Sequence, residues 1–365
     1  MTTMLALRAT SAVEPLRLAE IPVPEPGPED VLVKVSSAGL APGMMAMLAM
    51  GMFKHLPTTV GHEAAGTVEA VGDAVDPALA GQRVRVHAML SCRSCAFCRA
   101  GHEQMCTDAA MLGGAAFGTG PLELYGRYHH GGLAGYVRVP HWQVDVLPDA
   151  VSFDVAAKVH DLGTAVSVLK QANLPLGGTL VVTAATGAMG AATIKLAPFF
   201  GAGRLVLVGR SAKRLDALRA IAGVPVDTVA LEELGADWAT TGGLTRRIRD
   251  LVPGGADAVV DLIPQGPATA QALTALATGG TLVHLGGNFT PLELPPAALM
   301  VNLWRLVGTR ACGRTDTDQV LALLASGALH LDDLITHRFP LAEALEGIES
   351  MRSRPEPMWM SVVRP

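Results

Sequence analysis

The sequence predicts an α/β protein of two domains: a β-rich domain, then a doubly wound parallel sheet. Three observations predict it. Up to about residue 150, short alternating runs such as Val31, Val33 and Val35 are punctuated by Gly and Pro, as in an antiparallel sheet or barrel. From about residue 155, short wholly apolar runs alternate with helical stretches, the pattern of strands buried on both faces of a parallel sheet. A length of 365 residues suits two such domains.

The elements follow in order. Leu5, Leu7 and then Leu16, Leu18 alternate as an opening strand pair. Pro22-Val-Pro-Glu-Pro-Gly-Pro28 breaks the chain before the strand at Val31 to Val35. Thr67, Glu69 and Val71 form the next strand, ended by Gly72-Asp73, and Val84 and Val86 another. Val155 to Asn173 reads as one long helix, followed by the apolar strand Thr179 to Thr183. A helix from about Met189 to Phe200, a strand at Arg204 to Val208 and a helix at Ala212 to Ala222 continue the rhythm. Asp257 to Asp261, Thr281 to Leu285 and Leu306 to Thr309 are the remaining strands of this sheet. One more helix, near Asp316 to Ser326, lies in a segment expected to rejoin the first domain. The expected boundaries are 1–153, 154–311 and 312–365 for the first domain, the second and the return. There is no internal repeat and no low-complexity tail.

Composition excludes several classes. Half the residues are hydrophobic and only 17% are charged, which is not the signature of disorder. Acids outnumber bases 33 to 28, which argues against a nucleic-acid partner. Apolar stretches are broken by Lys, Arg or Gly well before the roughly 20 residues of a membrane span. Met1 to Pro15 lacks the basic-then-apolar order of a secretory signal, so the expectation is a cytoplasmic protein.

Four of the five cysteines form Cys92-x2-Cys95-x2-Cys98-x7-Cys106. A tight cluster in a long chain points to metal rather than to disulfides. Four thiolates fill a tetrahedral Zn²⁺ shell, and a filled shell is structural rather than catalytic. One structural zinc per chain is expected, and Cys312 is expected to be a buried thiol.

The strand at Thr179 to Thr183 runs into Ala184-Ala-Thr-Gly-Ala-Met-Gly190. Gly187 and Gly190 keep the phase of a Rossmann fingerprint, with Ala185 in place of the first glycine. Such a loop brings bare backbone against a pyrophosphate at a helix N-terminus. The predicted cofactor contacts are Thr164, Thr186, Gly187, Ala188, Met189 and Gly190, with Leu285 and Gly286 after a later strand. An NAD site places Asp or Glu at the end of the next strand. Here the chain reads Val208-Gly-Arg-Ser-Ala-Lys-Arg214, with no carboxylate until Asp216. Gly209, Arg210, Ser211, Lys213 and Arg214 suit a 2′-phosphate, since arginine offers a planar fork to phosphate oxygens. NADP(H) is the expected cofactor.

Taken together, the chain resembles the medium-chain dehydrogenase/reductase superfamily, of zinc alcohol dehydrogenase type. The carriers are Gly61-His-Glu-Ala-Ala-Gly66 with Val71-Gly72, the four-cysteine lobe, Gly131-Gly-Leu-Ala-Gly-Tyr-Val137 and the 185–190 loop. The resemblance covers nearly the whole chain. It implies a GroES-like β-rich catalytic domain, a Rossmann domain, and a homodimer or homotetramer.

The catalytic zinc site departs from the family. The first ligand, a Cys in the family, falls at Ala41 in Ala38-Gly-Leu-Ala-Pro-Gly-Met44. The family's proton-relay hydroxyl falls at Gly43 and its relay His at Ala46. The second ligand, His62, and its neighbour Glu63 are present. The third ligand position falls at His160 or Asp161, depending on where a one-residue deletion is placed. Two readings stand: His62, Glu63 and His160 or Asp161 rebuild a zinc site without cysteine, or the catalytic metal is gone. Losing Ala41's cysteine together with the relay favours the second, because alcohol oxidation then lacks its usual driving group. His62, Glu63, His160 and Asp161 are the candidate catalytic residues, and Asp161 has a plain alternative as a helix cap.

Met44 to Phe53 holds five methionines in ten residues. Methionine fills irregular apolar shapes, so the run serves either a large apolar substrate or core packing. Thr107 to His130, with Tyr125, Tyr128, His129 and His130, is either a loop over the substrate entrance or a surface excursion. The expected activity is NADPH-dependent hydride delivery to a conjugated C=C or C=N of a bulky apolar small molecule. Reductive cyclisation of a polyene, as in polycyclic tetramate macrolactam pathways of the superfamily, is one such reaction. The alternatives are a zinc-dependent alcohol dehydrogenase or ketone reductase with a rebuilt site, and a non-catalytic NADPH-binding protein.

Overall fold

The computed structural model describes residues 2–354 and 357–365. The chain forms two compact units, Met1–Gly163 with Ala311–Pro365, and Thr164–Arg310. The α/β class read from the sequence is the class observed.

The first unit is built on a sheet whose strands run, edge to edge, Val144–Val146, Arg83–Val86, Ala64–Val71, Asp30–Gly39, Met360–Arg364 and Ile335–Pro340. Tyr136–Pro140 also pairs with Asp30–Gly39. A second sheet joins Arg17–Pro22, Thr3–Ala9 and Thr58–Thr59. Alternate side chains of Asp30–Gly39, among them Val31, Val33 and Val35, enter a core shared with Val68, Val84, Val86 and Leu133. The return segment closes this sheet: Val362 and Val363 pair antiparallel with Gly39 and Ala38.

Val155 to Asn173 is not one helix. Phe153–Ala157 and Val159–Ala172 are separate, divided at Lys158, and Ser152 caps the first by accepting from the Val155 N–H. The first helix belongs to the first unit because Asp154 is bonded to Arg338 Nε at 2.7 Å and to the Arg364 guanidinium at 2.5 Å. The return carries the expected helix, at Arg314–Ala325, and also a second, Ala344–Ser353. Its buried Ala344, Gly347 and Met351 follow helical spacing.

The second unit is a six-stranded parallel sheet. Its order is Val226–Ala230, Ala202–Gly209, Gly178–Val182, Ala256–Asp261, Leu276–His284, Arg305–Gly308, or third, second, first, fourth, fifth, sixth in chain order. That is the doubly wound dinucleotide-binding topology. The helix expected to reach Phe200 ends at Leu196 and tightens into a 3₁₀ turn at Ala197–Phe200, where Pro198 cannot continue the ladder. The helix expected over 212–222 likewise stops at Ala217 and continues as a 3₁₀ turn, Leu218–Ile221.

Candidate active site, cysteine lobe and nucleotide loop

The four cysteines converge: the sulfurs of Cys92, Cys95, Cys98 and Cys106 all lie within 4.8 Å of one another. Local backbone aims them. The Cys95 N–H donates to Cys92 Sγ at 3.3 Å, the Cys98 N–H to Cys95 Sγ at 3.4 Å, and the Asp108 N–H to Cys106 Sγ at 3.3 Å. Against burial, the N–H groups of Ser94 and Cys95 lower the Cys92 thiol to about 6, whereas burial pushes Cys106 up to about 12. Four clustered thiols cannot all ionise without a cation among them, and a dication removes that conflict. The donor set fits zinc. The lobe is tied down by Glu103, which accepts from His87 Nε2 and from the Arg314 N–H, both at 3.1 Å. Arg314 also reaches Asp145, and Asp145 is paired with the fully buried Arg85 at 2.5 Å.

His62 and Glu63 precede the strand Ala64–Val71, and His160 and Asp161 lie in the first turn of Val159–Ala172. All four are buried in the first unit. Between them stands Lys158, which sequence reasoning passed over. Its Nζ donates to Glu63 Oε2 at 2.5 Å and is paired with Asp161 Oδ2 at 2.7 Å. The side chains of Lys158 and Glu63 are 0% exposed, and that of Asp161 is 13%. Burial disfavours the ammonium, but Asp161 and Glu63 outweigh it and hold Lys158 charged. Burial, with Asp161 beside it, pushes Glu63 up to about 8. His62 and His160 meet edge to face, ring centroids 5.1 Å apart. Burial, with Lys158 beside it, lowers His62 to about 3. Burial and His62 hold His160 well below its usual range. His160 Nδ1 lies 3.6 Å from Cys312 Sγ, and Cys312 is the buried thiol expected. His62 Nδ1 and Glu63 Oε1 are buried without a hydrogen-bond partner among the described residues.

This arrangement does not fit a second zinc. Among the described residues, the four cysteines are the only group of three or more His, Cys, Asp or Glu side chains close enough to share an ion. Glu63 and Asp161 are turned onto an ammonium instead.

The methionine run is largely core: Met44 is buried, Met45, Met47 and Met52 pack against the first unit's core, and Met50 is exposed. The segment Thr107 to His130 is buried in its first half and runs along the surface in much of its second. Residues 109–116 are buried, the Tyr125 hydroxyl donates to Gly114 O at 2.7 Å, and that of Tyr128 to Asp30 at 2.5 Å.

In the second unit, Gly187 is the N-cap of Ala188–Leu196, and Thr186, Gly187, Ala188 and Met189 are half-exposed. A β-carbon at Gly190 would lie 2.1 Å from Ala185 O, so only glycine lets the helix approach the loop this closely. Gly209 ends the next strand beside Thr186, where a β-carbon would lie 3.5 Å from the threonine methyl. Arg210 and Lys213 are exposed, and Ser211 and Arg214 half-buried. Glu232, missed by the sequence reading, accepts from the Ala212 N–H at 2.9 Å in the same stretch. The Leu285 and Gly286 N–H groups donate to Asp261 O at 2.9 and 3.2 Å. Asp261 is itself bonded to Thr183 Oγ1 at 2.6 Å and His284 Nδ1 at 2.7 Å. Thr164 is buried, the first residue of this unit.

Residues 27–149 match the alcohol dehydrogenase GroES-like domain, and residues 188–326 match zinc-binding dehydrogenase. The chain belongs to the medium-chain dehydrogenase/reductase superfamily, of zinc alcohol dehydrogenase type. It is an oxidoreductase. This oxidoreductase is 29% identical to sorbitol dehydrogenase of Bombyx mori over 349 residues, covering 93% of this chain and 92% of the relative. It is 28% identical to L-threonine 3-dehydrogenase of Saccharopolyspora erythraea, over 96% of each chain. Among solved structures, a zinc-binding dehydrogenase from Sinorhizobium meliloti 1021 bound to NADP superposes with a TM-score of 0.84 at 26% identity, over 100% of both chains. Alcohol dehydrogenase TADH from Thermus sp. ATN1 gives 0.80 at 27%, over 99% and 100%. Among the described residues, no helix is long and apolar enough to cross a membrane.

Proposed function

We propose that this oxidoreductase reduces a conjugated C=C or C=N bond of a bulky apolar small molecule, with no metal at the His62 site. The observation that carries the reading is the Lys158 ammonium, which already engages Glu63 and Asp161, two of the four candidate ligands. With Ala41 at the first ligand position, no cysteine supplements them. An alcohol must lose its hydroxyl proton as hydride leaves, a step that a Lewis acid serves. A conjugated acceptor takes the incoming charge into its own π system and then needs only a proton. Ring closure of a polyene is the same chemistry carried further, the resulting enolate attacking a neighbouring double bond.

NADPH, when bound, supplies the hydride. The half-exposed turn at Thr186 to Met189 suits its pyrophosphate. Arg210 and Lys213, whose side chains make no hydrogen bond or ion pair among the described residues, suit the 2′-phosphate. Exposed Met300, Val301, Leu303 and Leu306, on and before the edge strand Arg305–Gly308, support a homodimer or homotetramer. A thiolate lobe also suits a reducing compartment such as the cytoplasm.

The test is NADPH oxidation with a panel of enones, imines, polyenes and ketones, and NADP⁺ reduction with a panel of alcohols, each with and without chelator. Turnover of the conjugated panel that survives chelation is expected. Chelator-sensitive alcohol oxidation would overturn the reading in favour of a rebuilt zinc site.

A further inference from the structure

Among the described residues, Lys158 and Arg85 are the two buried side-chain cations, and Lys158 lies in the candidate site. It is wholly buried, and an unpaired ammonium there would be strongly disfavoured. The fold is shaped around it. The helical path is interrupted at this residue, between Ala157 and Val159. The strand Asp30–Gly39 ends in a glycine whose β-carbon would meet Glu63 Oε2 at 2.2 Å and Lys158 Cδ at 2.9 Å. Glu63 and Lys158 are sealed, and the side chain of Asp161, buried as a residue, keeps 13% of its surface accessible. The rings of His62 and His160 meet beside this line.

We propose that Lys158 is the built-in cation of this site, taking the place of a divalent metal and positioning Asp161 as the polar group offered to substrate. The proposal rests on the metal-free reductase reading and adds a residue to it. Asp161, held by one oxygen on the ammonium, is fixed in direction, so substrate meets a preset carboxyl rather than a mobile one. A divalent ion held by Glu63 or Asp161 would meet the repulsion of a cation already in place.

Three variants of the full-length protein test this. Lys158→Met keeps the length and removes the charge. Glu63→Gln/Lys158→Met removes the sealed carboxylate as well, and so guards against a variant that fails to fold for want of a counterion. Lys158→Ala leaves a space for methylammonium. In both methionine variants kcat for NADPH-dependent reduction is expected to fall about 100-fold, the scale of a misplaced reacting group. KM for NADPH should change less than about twofold on that scale, because the nucleotide residues are untouched. Lys158→Ala should regain activity and melting temperature with methylammonium, and without it should take up a further zinc in a calorimetric titration of protein whose cysteine lobe is already loaded. A folded double variant that retains wild-type kcat overturns the proposal, as does Lys158→Ala that responds to neither methylammonium nor zinc. These outcomes differ from failure of the underlying reading, which would show in the wild type as a second bound zinc and chelator-sensitive turnover.

Discussion

Gly39 and Glu63 compete for one space: a β-carbon on the glycine would lie 2.2 Å from the carboxylate Oε2. The carboxylate end of a side chain can usually swing aside, but this one is sealed and bonded to Lys158 at 2.5 Å. Gly39→Ala should therefore displace the ion pair. Overpacking costs about 1–3 kcal/mol, and partial loss of a buried pair adds to it. A lowered urea midpoint is expected together with reduced kcat. A Gly39→Ala protein with wild-type stability and turnover would mean that the pair relaxes freely.

Cys95→Ser isolates the metal's contribution. Cys95 also caps the short helix Ala96–Arg99 through the Cys98 N–H, and serine retains that capping role. Only the thiolate is lost. Elemental analysis should show about one zinc fewer per chain, and the melting temperature should fall substantially, since zinc contributes on the order of 10 kcal/mol to small Cys-rich sites.

Arg210→Ala tests the cofactor preference. A hydrogen bond to a charged group contributes about 1.5–3 kcal/mol, so NADPH should bind roughly 10–100-fold more weakly. NADH, with no 2′-phosphate, should be nearly unaffected. Equal losses for both cofactors in a fluorescence titration would remove Arg210 from the site.

The buried histidines should make stability fall with acid below neutrality, opposed over part of that range by Glu63, whose raised value favours the protonated folded state. Burial holds His62 at about 3 and His130 at about 4, and also lowers His87, His129 and His160. The unfolded chain takes up these protons below about pH 6.5, while the folded chain refuses them. The stabilisation of each buried neutral ring is therefore full above about pH 6.5 and is lost as pH falls toward the folded value, at up to about 1.4 kcal/mol per pH unit, whereas His130 is exposed and solvent screens most of its share. His130→Asn keeps an acceptor for the Thr59 N–H, which donates to His130 Nδ1 at 3.2 Å, and, because His130 is exposed, should flatten the slope of melting temperature between pH 6.5 and 5 only slightly.

The main sheet of each unit was legible because its period is written into single strands: Val31, Val33 and Val35 alternate, and Val181 and Val206 sit in uninterrupted apolar runs. The four sulfurs were legible from spacing alone. The site around His62 was legible only in part. His62 and Glu63 were found through a motif, but Lys158 belongs to no motif. Its one signal was a lysine inside the apolar run Val155 to Val159, three residues before an aspartate, a spacing that places both on one helical face. Pairing with Glu63 joins residues 95 apart in sequence and could not be read from neighbours. Glu232 escaped for the same reason, since its partner Ala212 lies on another strand's exit.

The strand Met360–Arg364 lies between Asp30–Gly39 and Ile335–Pro340 in the sheet of the first unit. That sheet is begun by residue 30 and cannot be finished until residue 364 has been synthesised. The second unit, continuous from Thr164 to Arg310, has all its strands available much earlier. On the ribosome, the N-terminal strands must therefore wait, with an open edge, through the making of an entire neighbouring sheet. The unit that starts first is the one that closes last.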